Sequence, residues 1–237
     1  MNIVEKKPGA PSRIRAQFAT KVSALLEAHP KVKRAKVESA QVYYYPDFVT
    51  DEECAELVKV IDIGKRPSTL LSYSNDPNFR TSESCDLDRF SPVVRPVDER
   101  IAELLGLDAP YGETMQGQRY APGQQFRAHH DYFHENTDYW PRMQAEGGQR
   151  TWTAMVYLSD VTEGGATWFP QAGIRVPPRK RLLLMWNNMN PDGSPNPYTL
   201  HEGMPVIRGT KYVVTKWFRE HHWFKDRAYS VQVKRKK

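Results

Sequence analysis

Short β-rich runs separated by turn residues dominate the chain from about residue 113 onward. Nine such runs alternate with Gly, Pro, Asn and Asp. They cover residues 113–120, 125–133, 150–158, 166–169, 173–176, 181–187, 198–202, 205–207 and 211–219. Many short strands at this spacing are typical of a β-sandwich or a barrel. A length of 237 residues suits one such domain with a few added helices.

The first part of the chain predicts helices instead. Residues 13–28 have apolar side chains at helical spacing, with basic residues off that face. The apolar face consists of Ile14, Phe18, Val22, Leu25 and Leu26, and the basic residues are Arg13, Arg15 and Lys21. We expect this helix to dock on the core, and a membrane-surface or partner helix is the alternative.

Two more helices carry start signals in the sequence. Thr50 and Glu53 form a capping-box signature, because each side chain can satisfy the other's backbone amide. Ser91 and Pro92 predict a further helix over residues 92–105, with proline at its first position.

The net charge of the chain is +6, and the positions of the charged residues show whether it indicates nucleic-acid binding. Residues 1–37 carry +7 and residues 234–237 carry +4, which leaves −5 on residues 38–233. The basic side chains therefore lie at the ends. A nucleic-acid-binding module needs a basic surface on its folded body, so this class of protein is disfavoured.

The sequence gives little sign of a membrane or secreted protein. No stretch approaches the ~18–20 uninterrupted apolar residues that span a bilayer, and the first residues lack the apolar run of a secretory signal. Cys54 and Cys85 are the only cysteines, too few for a disulfide framework or a cysteine-based zinc site. We therefore expect a cytoplasmic protein with no membrane contact.

One β-rich run places two metal-binding side chains on the same face. Residues i and i+2 of a strand face the same way, so His129 and Asp131 project together and His130 points away. Such a pair and a distant histidine can form the 2-His-1-carboxylate triad that holds Fe(II). The distant candidate is His201. A zinc site using His129, His130 and His134 is the alternative, but it needs irregular backbone.

Lys211 is an unusual residue for its position. It lies ten residues after His201 in a run whose same-face neighbours are Val213, Thr215 and Trp217. A lysine on such an inward face needs an anionic partner, because an unpaired buried charge is costly. A dicarboxylate cosubstrate would supply that partner.

Several motifs follow one another in a fixed order along residues 40–220. They are Arg80-Thr81-Ser82, Tyr120-x-x-Gly-x-x-Phe-x-x-His129-x-Asp131, Arg150-x-x-Thr153, Gly164-Gly165-x-Thr167-x-Phe169-Pro170, Thr199-Leu200-His201-x-Gly203-x-Pro205, Gly209-x-Lys211 and Lys216-Trp217. This ordered set resembles the prolyl 4-hydroxylase family of Fe(II)/2-oxoglutarate-dependent dioxygenases. A set of linked motifs is far more specific than any one of them.

The resemblance implies a fold and a division of the chain. The fold is mainly β with N-terminal helices packed on a double-stranded β-helix, or jelly-roll, core. Residues 1–37 would be a basic lead-in with an amphipathic helix, residues 38–222 the dioxygenase domain and residues 223–237 a basic tail.

The resemblance also implies cofactors and the residues that hold them. Fe(II), 2-oxoglutarate and O2 would take part, with L-ascorbate restoring the iron after uncoupled turnover. The implied catalytic iron ligands are His129, Asp131 and His201. The implied contacts to the 2-oxoglutarate C5 carboxylate are Lys211, Tyr120 and Thr167. The candidate substrate contacts are Arg80 and Trp217.

The implied reaction is hydroxylation of an unactivated C–H bond in a prolyl residue of a peptide or protein, as a procollagen-proline 4-dioxygenase performs it. A free amino acid or a small metabolite is the alternative substrate. A nucleic-acid-binding module and a non-catalytic oxygen or iron sensor are the alternatives from other classes. Trp186 stands where the family usually has a smaller Phe, and residues 134–148 form an aromatic loop that we expect near the mouth of the site.

Overall fold

The computed structural model describes residues 9–70 and 76–223. The first eight residues of the predicted lead-in and the predicted basic tail from residue 224 onward lie outside this part of the chain. Helices in the described ranges are α1 (Arg13–Ala28), α2 (Asp51–Gly64), α3 (Arg95–Leu105) and α4 (Trp140–Ala145). None of them is long and apolar enough to cross a membrane.

The strands are short, and most of them lie in the second half of the chain. They are β1 (Lys33–Arg34), β2 (Val42–Tyr45), β3 (Arg66–Pro67), β4 (Glu83–Asp86), β5 (Gln116–Tyr120), β6 (Phe126–His129), β7 (Arg150–Tyr157), β8 (Glu163–Gly164), β9 (Thr167–Phe169), β10 (Ile174–Val176), β11 (Leu183–Asn187), β12 (His201–Gly203), β13 (Val206–Arg208) and β14 (Lys211–Arg219). Each of the nine predicted runs overlaps a strand.

Most strands belong to two antiparallel sheets. The major sheet has the order β1-β2-β11-β7-β14-β5-β4-β3, and the minor sheet has the order β10-β9-β12-β6. The long central strands β7 and β14 pair along almost their whole length. The two sheets form the jelly-roll core that the sequence predicted.

The major sheet has a hydrophobic core on each of its faces. One core lies under the helices and includes Leu26, Leu57 and Val214. The other lies between the sheets and includes Phe169 and Val213. Because neighbouring residues of a strand face opposite ways, β14 contributes alternate side chains to the two cores.

The helix boundaries follow local capping chemistry. Thr50 and Glu53 form the predicted capping box at the start of α2. α3 begins at Arg95 rather than at residue 92, because the carbonyl of Ser91 accepts hydrogen bonds from the amides of Val94 and Arg95 in a preceding turn. Gly106 ends α3 in the left-handed conformation, with φ of 61°.

The structure corrects the predicted face of α1. Its boundaries match the prediction, but Arg15 is only 5% exposed whereas Ile14 is 45% exposed. The ion pairs that bury Arg15 come from residues 120 or more positions away, so the local apolar spacing gave no sign of them. The predicted loop 134–148 likewise contains a short helix, α4.

Candidate metal centre and cosubstrate pocket

The minor sheet brings together three side chains that are distant in sequence. His129 is the last residue of β6, and His201 is the first residue of β12. These strands are antiparallel neighbours in which His201 is the direct pairing partner of His129. Asp131 follows two residues after His129, so the pairing of two strands assembles the predicted triad.

The three side chains point toward one another. Their candidate ligand atoms all lie within 4.8 Å of one another. His129 Nε2 lies 3.8 Å from Asp131 Oδ1, and His201 Nε2 lies 3.9 Å from Asp131 Oδ2. Two imidazole nitrogens and one carboxylate oxygen form a small facial donor set.

Backbone carbonyls fix the orientation of both imidazoles. Nδ1 of His129 lies 2.8 Å from the carbonyl of Arg127, and Nδ1 of His201 lies 2.9 Å from that of Thr199. A carbonyl only accepts hydrogen bonds, so each Nδ1 carries the proton and each Nε2 keeps a lone pair for a metal. Burial lowers the pKa of His129 to about 3, which keeps its imidazole neutral.

A hydrogen-bonded relay holds the carboxylate of Asp131. The Thr153 hydroxyl donates to Asp131 Oδ2 at 2.7 Å, and the Asn188 amide donates to the Thr153 hydroxyl at 2.9 Å. Burial works against ionisation of Asp131, yet the pKa of this carboxyl lies below its usual value. The causes are the nearby His201 and His129, Arg150 and the bond from Thr153.

This donor set fits Fe(II). Two neutral imidazoles and an ionised carboxylate on one side of a divalent ion are the ligands of non-haem iron oxygenases, and they leave positions open on the other side. His130 points elsewhere, stacks on Tyr132 at 4.4 Å between ring centroids and contacts the carbonyl of Pro197. The alternative zinc site is therefore wrong, because the cluster found in the described residues is His129, Asp131 and His201.

Lys211 lies between the two sheets and is 2% exposed. Its Nζ lies 5.1 Å from the ring centroid of Tyr120 and 5.5 Å from that of Tyr157. A Cβ built on Gly203 would lie 3.7 Å from the same Nζ, so the glycine leaves room beside the ammonium. Thr167 pairs with Gly203 across the minor sheet, which brings it to the same pocket.

The charge of Lys211 has no counterpart in the described residues, where it makes no hydrogen bond or ion pair. Burial lowers the pKa of Lys211 to about 7. A buried ammonium in this state fits an anionic ligand such as a carboxylate. The Thr167 hydroxyl accepts a 2.6 Å hydrogen bond from the Tyr157 hydroxyl, which orients it within the pocket.

Buried aromatic rings pack around His201. Trp186 lies edge-on to His201 at 4.8 Å and to Phe169 at 5.4 Å between ring centroids. Both aromatic side chains are buried. Trp186, the departure noted in the sequence, thus packs against a histidine of the candidate metal cluster.

An open cavity of about 830 Å³ borders the triad. Its walls include His129, Asp131 and both candidate substrate contacts, Arg80 and Trp217. Arg80 lies over the Phe126 ring at 4.6 Å and donates to the Gln116 side chain at 2.9 Å. The predicted mouth loop also reaches this cavity, through His134 and Tyr139.

Sequence reasoning assigned no role to Arg150, which the structure puts in the cavity wall. Its guanidinium lies 4.2 Å from the Trp217 ring centroid and donates two hydrogen bonds to Glu113, at 2.6 and 2.8 Å. Arg150 is the first residue of one of the sequence motifs, and this position could have marked it as a candidate site residue. Tyr157 also received no role from the sequence, and its ring lies beside the ammonium of Lys211.

Comparisons with known proteins agree with this geometry. Residues 115–219 match the model of the 2OG-Fe(II) oxygenase superfamily. Probable prolyl 4-hydroxylase 8 of Arabidopsis thaliana is 34% identical over 207 residues, which cover 77% of this chain and 70% of that protein. Prolyl 4-hydroxylase 5 of the same plant is 34% identical over 76% of this chain and 68% of its own length. The chain belongs to the prolyl 4-hydroxylase family.

A solved structure supports membership of this family. The viral collagen prolyl hydroxylase of Paramecium bursaria Chlorella virus-1, solved as its 2OG complex, superposes with a TM-score of 0.60 and 27% identity. The match covers 75% of this chain and 95% of that one. As a prolyl 4-hydroxylase family member, the protein is a 2-oxoglutarate-dependent dioxygenase that uses Fe(II), 2-oxoglutarate and O2.

Proposed function

We propose that the protein hydroxylates a prolyl residue in a peptide or protein substrate. The observation that carries the proposal is the cluster of His129, Asp131 and His201 at an open cavity of about 830 Å³. The buried ammonium of Lys211 lies beside Gly203, in the same short strand as His201. A small anionic cosubstrate suits the ammonium, and a larger substrate suits the cavity.

In this proposal His129, Asp131 and His201 hold the iron, which supplies the oxidation chemistry when it is bound. Other residues of the chain hold these three ligand side chains in position. The carbonyls of Arg127 and Thr199 keep the Nε2 lone pairs of the histidines turned toward the ion. Thr153 keeps the carboxylate of Asp131 in place.

Lys211, Tyr120 and Thr167 would bind the far carboxylate of 2-oxoglutarate. Support comes from the buried ammonium of Lys211, which gains from any anion placed beside it. The hydroxyl of Thr167 and the hydroxyl of Tyr120 offer donors to the remaining lone pairs of a carboxylate. Lys211 is almost fully buried, and the exclusion of water strengthens such an ion pair.

The open cavity supports a peptide rather than a free amino acid. Arg80 and Trp217 line this cavity and would contact the substrate, and Arg150 lies against the Trp217 ring. Guanidinium groups can donate to peptide carbonyls, and an indole ring can pack on a pyrrolidine ring. The relatives named prolyl 4-hydroxylases favour a prolyl residue as the target.

The test is turnover with Fe(II) and 2-oxoglutarate across proline-containing peptides and free amino acids. Succinate release coupled to the gain of one oxygen atom on a peptide proline, read by mass spectrometry, is the expected result. Oxygen gain on free proline alone would move the proposal to the small-molecule alternative. No succinate release and no effect of His129→Ala would overturn it.

Two further predictions of the sequence belong to this proposal. L-Ascorbate should prolong turnover by returning the iron to Fe(II), and an assay with and without ascorbate tests that. A cytoplasmic location is supported by Cys54 and Cys85, which are buried free thiols. Fractionation of cells that produce the full chain tests the location.

The division of the chain also stays a proposal. Residues 38–222 would form the dioxygenase domain, residues 1–37 a basic lead-in with a helix, and residues 223–237 a basic tail. Deleting residues 1–8 and 224–237 should leave turnover of 2-oxoglutarate intact, and a loss of turnover would contradict these boundaries.

A further inference from the structure

Arg15 is a buried arginine that the proposed chemistry does not use. It lies on α1, and its guanidinium reaches three separate segments of the chain. Nε donates to the carbonyl of Gly193 at 2.6 Å, and one terminal nitrogen lies 3.2 Å from Glu135 and 3.3 Å from Glu220. The other terminal nitrogen donates to the carbonyl of Ala10.

Glu135 connects Arg15 to residues in the wall of the open cavity. The Gln149 side chain donates to Glu135 Oε1 at 3.1 Å and to the carbonyl of Phe133 at 2.7 Å. It also accepts a 2.9 Å hydrogen bond from the Phe133 amide. The Phe133 ring in turn lies 5.1 Å from the guanidinium of Arg150. A continuous set of bonds therefore joins α1 to the cavity wall two residues after Asp131.

Close backbone contact fixes the position of α1 on this region. The Ser12 amide donates to the carbonyl of Asp192 at 3.0 Å. A Cβ added at Gly193 would lie 2.1 Å from the carbonyl oxygen of Ser12, so only a glycine permits the approach. The turn at Gly193 and the loop after Asp131 are thus held by the same end of one helix.

We propose that Arg15 is a positioning residue that holds the cavity wall formed by residues 133–149 in the shape that receives the substrate. This inference rests on the proposed function, because it concerns the same cavity. Glu135 and Glu220 lie on different segments and would repel each other without the arginine between them. The helix of the lead-in would therefore support the substrate cavity of the dioxygenase domain from outside that domain.

The test compares Arg15→Met with Arg13→Met, because Arg13 lies exposed on the same helix. Arg15→Met should raise the KM for a proline-containing peptide about tenfold, as expected when supporting contacts loosen. The KM for 2-oxoglutarate and the peptide-free turnover of 2-oxoglutarate should stay at the wild-type value. Arg13→Met should change none of these quantities. Arg15→Lys keeps the charge but loses the planar guanidinium, so its KM for the peptide should lie between those of the wild type and Arg15→Met.

Hydrogen exchange gives a readout that does not depend on activity. Amides of residues 133–149 should exchange faster in Arg15→Met than in Arg13→Met, while those of β7 and β14 stay protected. Glu135→Gln removes one ion pair and keeps the contacts of Arg15 to Gly193 and Glu220. It should reproduce the rise in peptide KM, and it decides the question if Arg15→Met does not fold.

The outcomes separate this inference from the proposed function. Equal exchange and equal peptide KM in Arg15→Met, Glu135→Gln and the control would overturn the role of Arg15. A wild-type enzyme that oxidises no peptide would overturn the proposed function instead. In that case the exchange data on residues 133–149 still decide whether Arg15 holds the wall.

Discussion

The two faces of strand β14 carry two buried lysines with opposite surroundings. Lys216 faces the helices, lies 2.5 Å from Asp98 and shares that carboxylate with Arg89 at 3.2 Å. Lys211, five residues earlier, faces the minor sheet and makes no ion pair with any described residue. The same strand thus carries Lys216, whose charge is neutralised by Asp98, and Lys211, whose charge is not neutralised by any described residue.

The two lysines differ in whether a charge of the protein compensates for their burial. Burial lowers the pKa of both lysines, and Asp98 partly offsets this effect, so the pKa is about 8 for Lys216 and about 7 for Lys211. A folded protein gains nothing from a buried ammonium without a partner. We infer that the free side of Lys211 exists for a ligand.

The largest effect should come from the triad between the two sheets. His129→Ala removes one metal ligand, so succinate production with Fe(II) should fall below detection. Mn(II) binding followed by electron paramagnetic resonance should fall with it. His221→Ala, at an exposed histidine, is the control and should keep both. Full activity in His129→Ala would contradict the proposal that this face of the sheet holds the metal.

Lys211→Met should separate cosubstrate binding from stability. A buried carboxylate left without its partner costs about 3–5 kcal/mol, which raises the KM for 2-oxoglutarate at least about 10²-fold. The free energy of unfolding without cosubstrate should not decrease, because an unpaired buried charge is removed. Titration of 2-oxoglutarate and denaturant unfolding check the two halves. A large loss of stability would mean that Lys211 has a partner in the protein.

Lys216→Met should give the opposite result. It leaves Asp98 with Arg89 alone, so the free energy of unfolding should fall by about 3 kcal/mol. The KM for 2-oxoglutarate should stay unchanged, because this side chain faces the helices. A changed KM here would contradict the division between the two faces.

The relay behind Asp131 should have a smaller effect than the triad itself. Thr153→Val removes the hydrogen bond to Asp131 with little change in volume. Metal affinity should weaken about 10- to 100-fold, which a Mn(II) titration measures. Thr20→Val, at an exposed helix position, is a matched control that should leave the affinity unchanged.

The most gradual effect concerns pH. Without cosubstrate, folded Lys211 loses its proton near pH 7, while the unfolded lysine keeps it up to about 10.5. Because 2-oxoglutarate needs the ammonium, its KM should rise by up to about tenfold per pH unit above about pH 7. The contribution of Lys211 to stability without cosubstrate should become more favourable over the same range. Lys211→Met should flatten both profiles, measured between pH 6 and 9.

The sequence predicted most of what depends on local pattern. Alternation and turn residues located the strands, and the two-residue spacing of His129 and Asp131 predicted which histidine joins the cluster. The apolar run around Lys211 predicted its burial. In each case the determining contacts lie within one strand or follow from a motif.

The sequence could not give contacts between distant segments. Arg15 looked like a solvent-facing residue, because nothing near it shows that Glu135 and Glu220 meet it in space. The role of Thr153 depends on the pairing of β7 with β11, which brings Asn188 behind it. The start of α3 was misplaced because a turn and a first helical turn have similar sequence signals.

The open side of Lys211 also bears on how long the molecule survives in a cell. A ligand that binds only the folded chain stabilises it by mass action, and this cosubstrate would complete the interior between the sheets. The pool of 2-oxoglutarate would then govern degradation as well as rate. Cells short of this metabolite would hold fewer copies of the enzyme, even with synthesis unchanged.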